Sequence, residues 1–324
     1  MRVGIYVHHS GSGHGRRAAS IAQAVRERGA AVSVAGSSGV VDLSLPRDDE
    51  PPAQGDATAR GALHWAPLRH HGMRERSQLI TRWVAEERLD VVVVDVSVEV
   101  AALVRLLGVP VVVVTQPGDR TDRPHALAYD LAEVILAPWP DGFDAGPHVG
   151  RWREKVVAVG GISAFTTRSR AERPSPASPY GVLLAGGDGW PDPTLPQRIS
   201  CAVPALTWHT LGGEHWLDDP EDLLRGADVV ISHAGQNAVA DLAAADAPSI
   251  VVAMPRPFDE QRWMVRGLAA GGWCTGIDDA SSLADADWAA LVRRATTMPR
   301  RWTDWHTEGA AGRAADVILD VAHG

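Results

Sequence analysis

Short β-branched apolar runs alternate along this chain with longer segments whose apolar residues recur every three or four positions. In the first half the runs are RVGIYV, AAVSVAG, ALHWAPL, DVVVVDV, PVVVVTQ, VILAP and KVVAVGG. The VVVV cores of DVVVVDV and PVVVVTQ are apolar at successive positions, which predicts strands buried on both faces, as in a helix-covered parallel sheet. RRAASIAQAVRERG sets Ala18, Ile21, Ala22 and Val25 on one stripe with Gly29 at a C-terminal stop, an amphipathic helix. Strands alternating with helices imply right-handed βαβ crossovers and a doubly wound α/β sheet.

The alternation breaks at 161–179, GISAFTTRSRAERPSPASP, whose proline and serine content predicts an interdomain linker. It resumes with YGVLLAGG, ALTWHTLG, DVVISH, SIVVAM and GWCTGID, without residue-level repetition. The expected fold class is therefore α/β with two Rossmann-like domains, one over 1–165 and one over 166–300. A last segment, 301–324, carries Ala311, Ala314, Ala315, Ile318, Leu319 and Ala322 on one stripe and must dock, expectedly back on the N-terminal domain. The polar stretch 46–61 predicts a surface loop. Ligands of such folds bind beyond the carboxyl ends of the strands, so chemistry is sought in the strand-to-helix loops.

Composition narrows the function classes. At 324 residues the chain favours two domains, and 45% apolar with 22% charged residues is globular. A net charge of −9 argues against a nucleic-acid partner and weakens attachment to anionic lipid, leaving peripheral membrane contact open but not indicated. Cys201 and Cys274, far apart and beside apolar residues, read as buried free thiols of a reducing compartment. The opening run MRVGIYV is too short for a signal peptide or a spanning helix, so a cytoplasmic location is expected. Twelve tryptophans against three phenylalanines and three tyrosines read mainly as core and interdomain packing.

Three loops carry chemistry. HHSGSGHGRR (8–17) follows the first strand; Gly11 and Gly13 fit a dinucleotide fingerprint, but Arg16 stands at its third glycine and no acid closes the second strand. NAD is therefore disfavoured, and the loop instead brings His14 and Arg17 to a cleft, where a histidine can act as a general base. LLAGGDGWPDP (183–193) is a glycine turn in which Gly186 and Gly187 let backbone N–H groups approach a phosphate and Asp188 caps the turn. HAGQNAVADLAAADAPSIVVAMPRPFDEQ (233–261) leads from a strand through a small-residue turn into a helix whose N-terminus can receive a diphosphate. Asp241, six residues past Gly235, can accept hydrogen bonds from a ribose diol, and Glu260 and Gln261 can read sugar hydroxyls.

This third segment resembles the donor-binding signature of GT-B glycosyltransferases, H-x-G-x-N-x-x-x-E. His233, Gly235 and Asn237 match, Asp241 stands where the family has glutamate, and Pro248 and the DEQ triplet match the later proline and acid–glutamine end at a slightly longer spacing. WLDDPEDLLRGADVVISHAG and the glycine–histidine loop are similar to the group containing the peptidoglycan N-acetylglucosaminyltransferase; the loop's G-x-G-H-x-x-R form is also similar to a nucleotide-sugar hydrolase of the same fold. The resemblance implies a cleft between the two domains, with the nucleotide-sugar donor on the C-terminal side and a small-molecule or lipid-linked acceptor on the N-terminal side. It implies no metal and no cofactor, the leaving diphosphate resting on the Gly235 and Gln236 N–H groups with His233 close by. DAD at 285–287 is no D-x-D site, since it falls in a late helical segment. His14 is the expected base; Asp95 reads equally as its orienting partner or as a buried strand-end carboxylate. Gly13, Arg17, His71 and His125 are expected on the acceptor side, although His70, His71 and His125 also read as surface-loop residues. The expected activity is metal-independent, inverting hexosyl transfer from a UDP- or dTDP-sugar. A nucleotide-sugar hydrolase and a non-catalytic nucleotide-sugar binder are the alternatives.

Overall fold

The computed structural model describes residues 1–8, 12–165, 178–187 and 189–324. Gly11, Asp188 and most of the linker segment read from the sequence (166–177) lie outside the described residues.

The first half runs β1 (Arg2–Val7), α1 (Ser12–Glu27), β2 (Ala31–Gly36), β3 (Leu43–Ser44), α2 (His71–Glu86), β4 (Val91–Asp95), α3 (Val98–Leu106), β5 (Val111–Val114), α4 (Arg123–Leu131), β6 (Val134–Ala137), α5 (His148–Arg151) and β7 (Val156–Ala158). The second runs β8 (Tyr180–Leu184), α6 (Leu195–Ala202), β9 (Thr207–Leu211), α7 (Glu221–Gly226), β10 (Val229–His233), α8 (Gln236–Ala244), β11 (Ser249–Val252), α9 (Glu260–Ala270), β12 (Thr275–Ile277), α10 (Trp288–Thr297) and α11 (Ala310–His323).

Both sheets are parallel. The N-terminal one has the order β3-β2-β1-β4-β5-β6-β7 and the C-terminal one β12-β11-β10-β8-β9. Strand alternation sorts the valines of β4: Val91 and Val93 join Val3, Ile5 and the α1 and α11 stripes, while Val92 and Val94 join Tyr6 and the helices α2 and α3. Each such side chain contributes about 1.5–3 kcal/mol by leaving water. Helix α11 returns to the N-terminal domain, burying Ala310, Ala314, Ala315, Ile318 and Leu319 against Ile21 and Val25 of α1. Trp302 and Trp305 lie in the turn preceding it and pack with Trp139 and Phe143 of the N-terminal domain against Val239 and Leu242 of α8, so these tryptophans hold the two domains together.

Two expectations need correction. ALHWAPL forms no strand: Pro67 lacks an N–H for a ladder, and Glu99 takes the N–H groups of His64 and Trp65 at 2.8 and 2.9 Å, holding the run as a loop. Cys274 is buried, its thiol pushed up to about 12 by burial, but Cys201 is exposed. Among the described residues no helix is long and apolar enough to cross a membrane.

Candidate active site

The N-terminal sheet reverses its order between β1 and β4, and the carboxyl ends of those strands deliver His8 and Asp95. Helix α1 adds His14 and Arg17, one turn apart. The Asp95 carboxylate is 2% exposed, accepts 2.7 and 2.9 Å hydrogen bonds from Arg17 Nη2 and stands 3.0 Å from His14 Nδ1. Burial alone would raise its pKa, but the Arg17 guanidinium and then His14 outweigh burial and hold it well below the usual carboxylate range. Arg17 Nη2 also lies 3.1 Å from His14 Nδ1. Since that nitrogen's hydrogens are engaged by Asp95, the stronger charge-assisted bond runs from His14 Nδ1–H to the carboxylate, leaving Nε2 as the basic edge of the ring.

The donor-side segment meets this cluster directly. Arg17 Nη1 donates to Gln236 Oε1 at 2.7 Å, Gln236 Nε2 donates to the Thr115 carbonyl at 3.3 Å, and Asn237 Nδ2 donates to the Gly13 carbonyl. The N-terminus of α8 therefore points into the junction, and its N-cap, Gly235, supplies no side-chain bond to the first turn, leaving those N–H groups for an anion. His233 ends β10 with its ring edge-on to Trp190, centroids 4.1 Å apart. Gly186 and Gly187 are exposed just beyond β8, next to β10 where the second sheet reverses; the Gly186 carbonyl accepts from the N–H groups of Gly189 and Gly213 at 3.0 and 3.1 Å.

Several side chains stand differently from their sequence readings. Asp241 faces the chain leaving the first domain and not an open cleft: it is 7% exposed, accepts the Ser163 hydroxyl at 2.6 Å, and burial pushes its pKa up to about 6. Gln261 is buried with its carbonyl oxygen taken by the Met254 N–H at 3.0 Å, a structural use. Glu260 begins α9 and reaches Arg120 of the other domain at 3.5 Å. Arg17 and Gly13 sit at the domain junction, where they meet Gln236 and Asn237 of α8. His71 is 85% exposed and pairs only loosely with Glu75 at 3.6 Å, which removes it from the site, whereas His70 N-caps α2.

His125 is no surface-loop residue. It is buried beside the cleft, where burial and then Arg120 push its pKa down to about 4. Arg120 Nη1 donates to its Nε2 at 3.0 Å, so the ring proton sits on Nδ1 and is donated to Asp122 at 2.5 Å; His64 Nε2 reaches the other Asp122 oxygen at 3.1 Å. His64, Asp122 and His125 offer atoms within 4.8 Å of one another, as a metal site would. A metal on His125 Nδ1 would move the ring proton to Nε2, against an Arg120 N–H, so the donor set fits a closed hydrogen-bond network better than a cation. Phe258, in left-handed backbone at φ 61°, inserts its ring between Arg120 and these histidines, 4.7 Å from the His125 ring.

Beside the His14–Asp95 pair, α2 and α3 enclose a half-open cavity of about 480 Å³ that reaches His8, whose ring lies 6.1 Å from that of His14. Its walls include Ile80, Met73, Trp65 and Leu103. These side chains form no motif in the sequence and meet only in the fold.

Residues 176–286 match the model of the glycosyltransferase family 28 C-terminal domain. The chain is 28% identical over 278 residues to the UDP-N-acetylglucosamine–N-acetylmuramyl-(pentapeptide) pyrophosphoryl-undecaprenol N-acetylglucosamine transferase of Clavibacter michiganensis subsp. michiganensis, covering 75% of this chain and 74% of that protein. The protein of the same name from Pseudomonas putida is 26% identical over 258 residues, 68% of each chain. Among solved structures, the glycotransferase of kitacinnamycin superposes with a TM-score of 0.68 at 15% identity, over 99% of both chains. MurG of Acinetobacter baumannii superposes at 0.61 and 16% identity, over 98% of this chain and 99% of that one. Two parallel Rossmann-like sheets facing one junction are the GT-B fold of these glycosyltransferases, and the C-terminal domain is similar to the family 28 donor domain. Within that class the chain resembles the group that contains the peptidoglycan N-acetylglucosaminyltransferase.

Proposed function

We propose that the protein transfers a sugar from a nucleoside-diphosphate sugar, UDP-linked as in the relatives' names, to a hydroxyl or amine of an acceptor held by the N-terminal domain. The observation that carries this reading is the His14–Asp95 pair facing the N-terminus of α8 across the junction, with Arg17 touching both. His14 Nε2 takes the acceptor proton as the acceptor oxygen or nitrogen attacks the anomeric carbon. The bond from that carbon to the diphosphate oxygen breaks, and the diphosphate leaves carrying the electron pair. The α8 N–H groups at Gly235 and Gln236 and the helix dipole receive its charge, a task that needs no metal. Attack opposite the leaving group inverts the anomeric centre. Asp95 fixes the His14 ring and stabilises its protonated form.

The test is incubation with UDP-, dTDP- and GDP-sugars, with and without an acceptor panel. Acceptor-dependent release of UDP supports transfer. Release of free sugar at the same rate without acceptor would replace the reading with hydrolysis, and binding without turnover would replace it with a nucleotide-sugar binder.

A further inference from the structure

The cavity beside His8 says more about the acceptor than about the donor. Its apolar walls come from both flanking helices and from the loop ahead of α2, with Ile80 and Met73 on α2, Leu103 and Val100 on α3, and Trp65 and Leu63 on the loop. At about 480 Å³ it is the size that buries most of a drug-sized molecule. One end reaches His8, and Ser97, two residues past Asp95, also lines it, so a bound hydroxyl has a short path to His14.

The charged groups facing the same space are three carboxylates, Asp48, Asp49 and Glu99, against one guanidinium, Arg76. That guanidinium is 2% exposed and already committed: it donates to Ser37 Oγ at 2.6 Å, the Pro46 carbonyl at 2.7 Å and Tyr6 Oη at 2.6 Å, and faces Asp48 at 3.5 Å. Glu99 is committed as well, accepting from the N–H groups of His64 and Trp65 and from the Ser97 hydroxyl, which fixes its charge in place. Among the described lining residues no lysine or arginine is left to receive a phosphate; Arg47, just outside the lining, pairs with Asp49 at 2.6 Å, so the carboxylates still exceed the guanidiniums by one.

We infer that this chamber takes a compact, mainly apolar acceptor that is uncharged or cationic, and that it rejects anionic acceptors such as a pyrophosphoryl-linked lipid. Calling the occupant an acceptor rests on the transferase reading above; the shape and charge preference of the chamber do not. Three probes on one scaffold separate the two: 2-naphthol bearing a hydroxymethyl, an aminomethyl or a methylphosphonate group at position 6. Binding to the full-length protein is read without donor, from the anisotropy of naphthalene fluorescence at low salt. The neutral and cationic probes should bind at least tenfold more tightly than the phosphonate. Leu103→Trp and Ser77→Phe, which fill the chamber from opposite helices, should each weaken naphthol binding at least tenfold with UDP affinity unchanged within twofold.

Equal or tighter binding of the phosphonate overturns the inference, as does no binding of any probe, or naphthol binding that survives both filling substitutions. If the naphthols bind in the expected order while no donor is consumed with any acceptor, the transferase reading fails and the chamber preference stands. If sugar reaches naphthol undiminished in both filled variants, the transferase reading stands and the chamber inference fails.

Discussion

Asp241→Asn should make the protein more stable above neutral pH. The carboxyl is 7% exposed, receives the Ser163 hydroxyl at 2.6 Å and has its pKa moved from 3.8 to about 6, chiefly by burial. Ser163, the Ala164 N–H and Arg16 favour its ionised form but do not offset burial, and Glu221 opposes ionisation further. In the unfolded chain the group loses its proton first, so between about pH 4 and 6 the native state holds more protons and stability falls as pH rises. At 1.36 kcal/mol per tenfold in proton affinity, the penalty above pH 6 is about 3 kcal/mol. Asparagine keeps an oxygen for Ser163 and removes the charge, while its buried NH₂ costs about 1 kcal/mol where it finds no acceptor. The net gain at pH 8 is about 2 kcal/mol, or about 4–8 °C in Tm for a domain of this size. Thermal unfolding of both proteins from pH 4 to 8 should place the variant at or slightly below the parent near pH 4 and progressively above it as pH rises. A variant less stable at pH 8, or a difference that shrinks with rising pH, refutes the burial argument. UDP titration adds a second arm: with Asp241 engaged by Ser163, affinity should change by no more than about threefold, and a loss beyond tenfold would return the residue to the ribose.

His14→Ala should lower sugar transfer by about 10²–10⁴ with UDP affinity nearly unchanged; turnover within tenfold of the parent excludes it as the base. Arg17→Met leaves the buried Asp95 with His14 as its remaining side-chain partner and should destabilise by about 3–5 kcal/mol in urea at pH 7.5. The Asp95 pKa is held low in the parent, so its stabilisation is present above the unfolded value and lost as pH falls; the deficit of Arg17→Met should shrink toward acid, and a deficit independent of pH would count against the ion pair as its source. Gly118→Ala should cost at least about 2 kcal/mol by thermal unfolding, because φ is +130° and a Cβ would meet the Phe258 carbonyl at 2.6 Å; an unchanged Tm would show that the two domains separate freely there.

Features written locally in the chain were legible. The VVVV runs read as buried strands because neighbouring positions are apolar on both faces, and the α1 and α11 stripes predicted which faces dock. His233, Gly235 and Asn237 sit within five residues of one another, so a spacing rule could find them. The chamber beside His8 was not legible, because β1, α2, α3 and the 46–65 loop meet only in the folded domain. A signal existed: Arg76, Ile80, Trp83 and Val84 have helical spacing and are all buried in α2, and an arginine on an apolar stripe marks a polar pocket. ALHWAPL was misread because its apolar alternation competes with Pro67 and with a carboxylate 34 residues away that claims its N–H groups.

Gln236 shows how the α8 segment and the His14–Asp95 pair are linked. Its side chain has no evident task in a local reading of HAGQNAVAD, since a helix N-terminus needs one cap and a diphosphate needs backbone N–H groups. In the fold it accepts from Arg17 and donates to the Thr115 carbonyl, so both ends of the amide grip the opposite domain. Arg17 spends its other arm on Asp95, and Asp95 orients His14. Opening the domains would strip Gln236 from Arg17, leaving the guanidinium to Asp95 and His14 alone. The hydrogen bond that seats α8 at the junction therefore ends on the same guanidinium that holds the Asp95–His14 pair, which couples the placement of that pair to the contact between the domains.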